Sequence, residues 1–423
     1  MTNTILAAIL VIVVVTLILV ALLLFIKTKL TPSGTVKIDI NDGKKVLDVP
    51  QGGSLLNTLA EQKIFLPSAC GGKGNCGQCK CQVIEGGGSI LPTETGFFTR
   101  KQINDHWRLG CQVKVKDNLK IQVPDSALSV KKLECEVISN KNVATFIKEF
   151  TVRLPEGENI EFKSGEYIQI DIPEYDVAFA DMDVDPIYRG DWEKYGFFDL
   201  KHKNTVPTIR AYSMASYPAE KNVIKLNVRI ATPPFDRSQP RGVFKMLPVP
   251  PGIASTYVFS RKPGDKVWIS GPYGEFLLPK DDPDDMEYIF VGGGAGMAPL
   301  RSHIMHLFKT MRTKREVHFF YGARALVEAF YLEDFAEIEK EFPNFHFHLA
   351  LDRPDPAADA AGVKYTAGFV HNVMNETYLK DHEAPEDIKY FMCGPPMMVS
   401  SVNNLLDSLG VAPESILYDN FGG

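Results

Sequence analysis

Three patterns of hydrophobic and polar positions follow one another along this chain of 423 residues. The first is an apolar run, Ile5–Ile26, interrupted only by Thr16. As a helix it would extend roughly 33 Å, enough to cross the core of a bilayer. No basic residue precedes it, whereas Lys27 and Lys29 follow it. This arrangement disfavours a cleaved signal peptide and predicts a single-pass anchor over residues 1–30, with its N-terminus outside and the following domains in the cytoplasm.

The second pattern is the alternation of apolar and polar residues that is typical of half-buried strands. It predicts short strands at Thr35–Ile40, Lys45–Val49, Gln82–Glu85 and Leu119–Val123, and helical spacing predicts a helix at Ser54–Ala60. Few strands, one helix and short connections favour a small α+β domain over residues 34–128.

Strand alternation continues from about residue 130, with regular turn signals. It predicts strands at Leu133–Ile138, Ile147–Leu154, Tyr167–Ile172, Val223–Ile230 and Lys266–Ser270. Such spacing favours an antiparallel β-barrel over residues 130–280. A stretch rich in Asp and aromatic residues, about 174–206, is too long for an ordinary barrel loop and predicts a structured insertion. Its aromatic residues Tyr188, Trp192 and Phe197–Phe198 suggest a surface for docking a partner.

The third pattern begins after the acidic run Lys280–Glu287, which is interpreted as a linker. A buried strand, a glycine-rich turn and a helix follow, and further strands then alternate with helices, which predicts an open parallel α/β sheet over residues 285–423. The turn is suited to a dinucleotide because a pyrophosphate can meet backbone N–H groups at the start of a helix. Its candidate residues are Gly292, Gly293, Gly294, Gly296 and Pro299. The alternating histidines of Phe345–Ala350 are interpreted as structural.

Composition narrows the possible functions. Apolar residues make up 45% of the chain and charged residues 23%, which is typical of globular domains. The net charge of −6 gives no basic surface for nucleic acid. The number of cysteines, 7, is odd, and most of them cluster in one region. This distribution disfavours a secreted disulfide framework and favours metal or redox use in a reducing compartment.

The strongest candidate site is the glycine-interleaved segment Cys70–Cys81. Its ligand set is predicted to be Cys70, Cys76, Cys79 and the distant Cys111. Four thiolates can hold a [2Fe–2S] cluster, and the glycines allow the positive φ values that a loop around a cluster needs. Two alternatives remain open at this point: a structural zinc ion, and a set in which Cys81 replaces one ligand. Cys81 is otherwise interpreted as a small buried residue, and Cys135 as part of a core.

Residues 34–125 resemble a plant-type ferredoxin domain, with one extra residue between the first two cysteines. The segment Arg210-Ala-Tyr212-Ser213 matches the R-x-Y-S signature of the ferredoxin–NADP reductase superfamily. This resemblance implies FAD as cofactor, with Arg210 on its pyrophosphate, Tyr212 over its ring and Ser213 near N5. A second matching segment is implied to bind the flavin phosphate through Gly252, Ala254, Ser255 and Thr256.

Two further segments match the same superfamily. The segment Cys393-Gly394-Pro395 resembles the strand end at the nicotinamide, which implies that Cys393 lies near the centre of hydride transfer and that Gly394 and Pro395 contact the nucleotide. The near-terminal Phe421 is implied to stack on the flavin. NADH rather than NADPH is the implied donor, although Arg324 lies where a 2′-phosphate could be contacted.

Taken over its whole length, the chain resembles the family of F subunits of Na⁺-translocating NADH:quinone reductases. The resemblance implies an enzyme that passes electrons from NADH to FAD, to a [2Fe–2S] cluster and on to membrane partner subunits, which reduce quinone and move Na⁺ across the inner membrane. Two other functions compete: the NADH-dependent reductase component of an oxygenase, anchored to a membrane, and a non-catalytic assembly protein that has kept the fold.

Overall fold

The computed structural model describes residues 10–22, 34–68, 70–124, 127–128, 130–240 and 242–419. The chain divides into two compact units, residues 1–129 and residues 130–423. Residues 10–22 form a helix, α1, whose side chains are exposed. The rest of the predicted anchor lies outside the described residues. Within the described ranges, no helix is both long enough and apolar enough to cross a membrane.

The first unit is built on a five-stranded sheet with the strand order β2-β1-β5-β3-β4. Its strands are β1 (Thr35–Ile40), β2 (Lys45–Pro50), β3 (Lys80–Glu85), β4 (Trp107–Leu109) and β5 (Leu119–Gln122), and its helices are α2 (Leu55–Glu61) and α3 (Arg100–Asn104). Helix α2 begins where the sequence predicts it, because the Ser54 side chain accepts a hydrogen bond from the Asn57 amide.

A buried ion pair fixes the approach to the last cysteine of the predicted cluster site. Glu94 is fully buried, and its Oε2 lies 2.8 Å from Arg108 Nη2. The same carboxylate accepts from the Leu109 amide at 2.8 Å, and Arg108 also donates to the carbonyl oxygen of Gly87. The charges are therefore compensated by several hydrogen bonds, as a buried pair requires. Strand β4 is held in place two residues before Cys111.

The second unit opens with a barrel. Its strands and those of its insertion are β6 (Lys131–Ala144), β7 (Ile147–Arg153), β8 (Tyr167–Ile172), β9 (Tyr175–Ala178), β10 (Lys201–Asn204), β11 (Thr208–Ser213), β12 (Val223–Arg229) and β13 (Lys266–Tyr273). Six of them form one sheet in the order β11-β8-β13-β6-β7-β12. An antiparallel bridge between Met214 and Leu226 joins the two edges, so that the sheet closes.

The long insertion is structured, and it packs inward. It contains β9, helix α4 (Pro186–Lys194), two 3₁₀ turns (Phe179–Asp181 and Phe197–Asp199) and β10. Trp192 is fully buried and Phe197 is 4% exposed, and both belong to the hydrophobic core of the barrel. The docking role suggested for these two residues is therefore wrong, because their rings are buried in the core and are not accessible to a partner. Tyr188 and Phe198 are half-buried against the same core.

Replacing Trp192 with Phe is expected to lower the free energy of unfolding of the second unit by about 1–3 kcal/mol. The indole Nε1 donates to the carbonyl oxygen of Thr145 at 2.8 Å, and the variant would leave this buried acceptor without its donor. Chemical denaturation, monitored through the release of flavin, measures the change in the free energy of unfolding. The control is Phe198→Leu, which replaces a half-buried ring of the same insertion with a smaller side chain. This variant should lower the free energy of unfolding by less.

The chain continues from the barrel into a six-stranded sheet in which all the pairings are parallel. Its strand order is β17-β16-β15-β14-β18-β19. The strands are β14 (Tyr288–Gly293), β15 (Val317–Ala323), β16 (Phe345–Leu351), β17 (Thr366–Ala367), β18 (Lys389–Cys393) and β19 (Ile416–Asp419). The helices of the second unit after α4 are α5 (Ile253–Ser260), α6 (Met297–Met305), α7 (Leu332–Glu341), α8 (Pro356–Ala360), α9 (Val370–Thr377) and α10 (Pro396–Ser408). The predicted open parallel sheet is thus confirmed.

A buried arginine joins the barrel to the parallel sheet. Arg301, on α6, is 3% exposed. Its Nη1 donates to the carbonyl oxygen of Ala215 at 2.7 Å and lies 3.2 Å from a Glu220 carboxylate oxygen. On its other side, Nε donates to Asp334 at 2.8 Å. Because one buried cation is neutralised from both halves, these halves pack as one body.

Candidate functional site

The loop that carries the predicted cluster ligands has the backbone that its glycines imply. Positive φ angles occur at Gly71 (64°), Gly72 (84°), Gly74 (78°) and Gly77 (68°), which confirms the prediction of repeated left-handed residues. An added β-carbon at Gly74 would lie 2.5 Å from the side-chain nitrogen of Gln112, which would have to move aside. The loop is therefore folded tightly against the segment that contains Cys111.

The four predicted ligands come together as two pairs. The Cys76 thiol donates to the Cys70 sulfur at 3.3 Å, and Cys79 is hydrogen bonded to Cys111. Among the described residues, no three of the cysteine sulfurs lie within 4.8 Å of one another. A tetrahedral zinc ion with Zn–S bonds of about 2.3 Å would place all four sulfurs about 3.8 Å apart. Two pairs instead suit two iron atoms that each take two thiolates.

One thiol of each pair ionises readily. Burial raises the pKa of Cys70, but hydrogen bonds from the Asn75 amide and the Cys76 thiol outweigh it and lower that pKa to about 7. The hydrogen bond with Cys79 lowers the pKa of Cys111 to about 6, and it raises the pKa of Cys79. Thiolates are the form that binds a metal, so this donor set fits an iron–sulfur cluster.

Cys81 lies outside these pairs. It is fully buried in the core of the first unit, and burial raises the pKa of its thiol to about 12. Cys135 is also fully buried, in the core of the barrel. A thiol that stays protonated in an apolar core suits packing rather than metal binding.

The predicted flavin-site residues lie on β11 and at the start of α5. On β11, the Arg210 Nη1 donates to Thr208 Oγ1 at 2.8 Å and to the carbonyl oxygen of Ile209 at 2.7 Å. Within the described residues, both hydrogen bonds of this guanidinium use Nη1, which leaves Nε and Nη2 for a phosphate. Tyr212 is half-buried and packs on the barrel core.

Helix α5 begins without a side-chain cap. Its N-cap is Gly252, whose amide donates to the carbonyl oxygen of Ala231, and an added β-carbon there would lie 2.7 Å from the Ala231 side chain. The Ser255 hydroxyl accepts a hydrogen bond from the Ala231 amide at 3.1 Å. Ala254 and Thr256 are buried. The first amides of a helix lack partners within it, so this uncapped start fits a flavin phosphate.

The predicted nucleotide turn lies at the carboxyl end of β14. Residues Gly294–Gly296 form a 3₁₀ turn that leads directly into α6, where Pro299 is buried. A β-carbon at Gly296 would lie 2.0 Å from the carbonyl oxygen of Cys393, so only glycine allows this approach. Gly292 and Gly293 end β14, and Gly394 and Pro395 connect β18 to α10. This edge is where dinucleotides bind in open α/β sheets.

Ser213 and Cys393 converge there on a residue that was not predicted. The Ser213 hydroxyl donates to Asp419 Oδ2 at 2.6 Å, and the Cys393 thiol donates to the Asp419 carbonyl oxygen at 3.6 Å. Burial raises the pKa of the Asp419 carboxyl, and the Ser213 hydrogen bond partly offsets this effect. Burial also raises the pKa of Cys393 well above its usual range. The thiol is fully buried, and the predicted position of Cys393 near the centre of hydride transfer stays a prediction. Phe421, the predicted flavin-stacking residue, lies outside the described residues.

Three protein families match successive parts of the chain. The 2Fe-2S iron-sulfur cluster binding domain matches residues 38–116, the oxidoreductase FAD-binding domain matches residues 194–277, and the oxidoreductase NAD-binding domain matches residues 290–404. The fold and these matches define a reductase that combines an iron–sulfur domain with FAD-binding and NAD-binding domains.

Relatives along nearly the full length specify the class further. The F subunit of the Na(+)-translocating NADH-quinone reductase of Pseudomonas aeruginosa is 51% identical over 96% of this chain and 95% of its own length. The F subunit of the same enzyme in Psychrobacter cryohalolentis is 52% identical with the same coverage. This chain therefore belongs to the family of F subunits of Na⁺-translocating NADH-quinone reductases.

Solved structures share the fold at lower identity. A cytochrome P450 reductase from Amycolatopsis has a TM-score of 0.61 at 22% identity, covering 92% of this chain and 99% of its own. The ferredoxin reductase of a carbazole 1,9a-dioxygenase has a TM-score of 0.55 at 20% identity, with the same coverage. At this identity the likeness is one of fold.

Proposed function

We propose that this chain is the NADH-oxidising subunit of a Na⁺-translocating NADH:quinone oxidoreductase. The observation that carries the proposal is the meeting of Ser213, Cys393 and Asp419. Ser213 belongs to the barrel, and the other two belong to the parallel sheet. Their contact supports a flavin edge that lies beside the nicotinamide end of the nucleotide site.

Each group of residues has a distinct role in this proposal. When bound, the cofactors supply hydride donation by NADH, conversion of the electron pair to single electrons by FAD, and one-electron acceptance by the [2Fe–2S] cluster. Arg210 and the start of α5 hold the flavin phosphates. The Ser213 hydroxyl faces the reacting edge of the flavin, and its hydrogen bond to Asp419 fixes its orientation. Residues Gly292–Gly296 and Gly394–Pro395 position the nucleotide. Cys70, Cys76, Cys79 and Cys111 hold the cluster.

The proposed acceptor lies at the inner membrane, in partner subunits of the complex. The apolar run Ile5–Ile26 supports a single-pass anchor, and the helix described at residues 10–22 exposes apolar side chains that a bilayer would cover. Lys27 and Lys29 favour an outside N-terminus and redox domains in the cytoplasm. NADH is the proposed donor, and the exposed Arg324, which follows β15, is the residue to test against a 2′-phosphate.

The proposal is tested by purifying the chain with its native membrane partners and measuring NADH-driven quinone reduction with and without Na⁺. We expect quinone reduction that depends on this chain and is stimulated by Na⁺. An oxygenase reductase would instead deliver electrons to a soluble oxygenase partner, and an assembly protein would leave the purified complex active after its removal. Either of these results would contradict the proposal.

Replacing Arg210 with Ala is expected to weaken FAD binding about 10- to 100-fold. A charge-assisted hydrogen bond contributes about 1.5–3 kcal/mol, and each 1.4 kcal/mol is a factor of ten. Equilibrium dialysis with fluorescence detection of free flavin measures the change. Arg153→Ala removes an exposed arginine from the same barrel and should leave FAD affinity unchanged. An unchanged affinity in the Arg210 variant would remove its assigned role.

A further inference from the structure

One cluster of side chains away from the redox sites brings together metal-binding groups. One ligand atom from each of Glu316, His318 and His346 lies within 4.8 Å of the other two, and no other such group occurs among the described residues. The parallel pairing of β15 with β16 places His318 directly beside His346. Glu316 comes two residues before His318, so its side chain falls on the same face.

Both imidazoles present the same ring nitrogen to one carboxylate oxygen. His346 Nε2 lies 2.6 Å from Glu316 Oε1, and His318 Nε2 lies 3.5 Å from the same atom. The two rings stack with their centroids 4.7 Å apart. The side chains of Glu316 and His346 are 44% and 40% exposed, whereas that of His318 is 8% exposed. An ion can therefore enter from solvent on one side of a site whose inner ligand is buried.

The buried ligand is held by further residues. His318 Nδ1 lies 3.0 Å from His348 Nε2, and the Tyr378 ring packs over His318 with a centroid distance of 3.9 Å. A histidine that binds a metal through one nitrogen generally donates a hydrogen bond through the other, which fixes its tautomer. His318 thus has the orientation and the support of a metal ligand.

We propose that Glu316, His318 and His346 form a binding site for one zinc-class divalent ion. Two imidazoles and one carboxylate are an established zinc ligand set that leaves a fourth position for water. Imidazole nitrogen selects zinc-class ions over Mg²⁺ and Ca²⁺, which prefer oxygen. Zinc requires about 2.0–2.2 Å to each ligand atom, and small rotations of the two exposed side chains can provide this convergence.

The position of the site separates it from the nucleotide. Glu316 and His318 lie at the amino end of β15, whereas the nucleotide turn Gly292–Gly296 lies at the carboxyl end of the neighbouring β14. His318 lies four residues before Gly322, which pairs with Gly293, and this separation corresponds to roughly 13 Å at about 3.3 Å per residue. A bound ion would tie β15 to β16 and leave the nucleotide site open. The site therefore does not overlap the nucleotide turn.

Zinc binding by the full-length chain, with its flavin and cluster in place, tests the proposal. The protein is freed of loosely bound metal with a chelator and dialysed against ZnCl₂, and zinc and iron are then counted by mass spectrometry. We expect one zinc per chain that Mg²⁺ does not displace. Glu316→Gln and His346→Ala should each weaken binding more than about 100-fold, and His348→Phe about 10- to 100-fold, because His348 supports a ligand without being one.

The control is His371→Ala, which removes a histidine of the same domain outside the cluster and should bind zinc like the wild type. Iron and flavin counts on the same samples show that each variant is folded and loaded. Zinc should also raise the unfolding temperature of the wild type and leave that of Glu316→Gln unchanged. A wild type that binds no zinc, or variants at Glu316 and His346 that bind it as tightly as His371→Ala, would overturn the proposal.

Discussion

Replacing Cys76 with Ala is expected to abolish the electron paramagnetic resonance signal of the [2Fe–2S] cluster while NADH still reduces the flavin. Cys76 is paired with Cys70 at 3.3 Å, so its loss leaves one iron with a single thiolate. The flavin and nucleotide residues belong to the other compact unit and do not depend on this loop. Flavin bleaching under anaerobic NADH, measured beside the resonance spectrum, separates the two effects.

Cys81→Ala is the matched control, because Cys81 lies only two residues after Cys79 and is also buried. Its thiol is fully buried with a raised pKa and belongs to neither sulfur pair. We expect this variant to keep the cluster signal at a modest cost in stability. A signal that survives in Cys76→Ala, or disappears in Cys81→Ala, would show that the ligand set is wrong.

Replacing Ser213 with Ala is expected to slow flavin reduction by NADH about 10²- to 10³-fold. The Ser213 hydroxyl is 7% exposed and held at 2.6 Å by Asp419, so it is ordered before any cofactor arrives. Removing one preorganised hydrogen-bond donor from a reacting centre typically costs this much. Stopped-flow absorbance of the flavin at saturating NADH measures the rate, and the flavin content should be unchanged because Arg210 and α5 are intact.

Ser408→Ala provides the comparison, since this exposed hydroxyl at the end of α10 only caps its own helix. Asp419→Asn tests the positioning role, because the amide can still accept from Ser213 but carries no charge. We expect its effect to be smaller than that of Ser213→Ala, with a changed pH dependence of the reduction rate. A Ser213→Ala rate close to that of Ser408→Ala would contradict the role of the hydroxyl.

The elements that local sequence predicts best are strands bounded by turn residues. Thr35–Ile40 and Tyr167–Ile172 have the predicted bounds because their alternation is uninterrupted. Strand β6 is longer than predicted and reaches Ala144. Irregularities in its pairing with β7 after Val137 and after Asn142 shift the register, which breaks the period of two that the prediction uses.

Contacts between distant segments were the part that local patterns could not predict. Asp419 reaches the site because β18 and β19 pair Cys393 with Asp419, and nothing near Asp419 in sequence signals that pairing. The inward packing of Trp192 likewise depends on an insertion that folds back onto the barrel. The contact between Glu316 and His346 likewise depends on the register in which β15 pairs with β16.

Arg301 has a consequence for the construction of hybrid reductases. Its charge is neutralised by Glu220 from the barrel half and by Asp334 from the nucleotide half. A chimera that takes these halves from different relatives inherits a buried cation whose two counter-ions come from separate parents. If either acid is missing, the loss of one partner of a buried pair typically costs about 3–5 kcal/mol. Exchanging the donor specificity of such enzymes by grafting therefore requires all three residues to be transferred together.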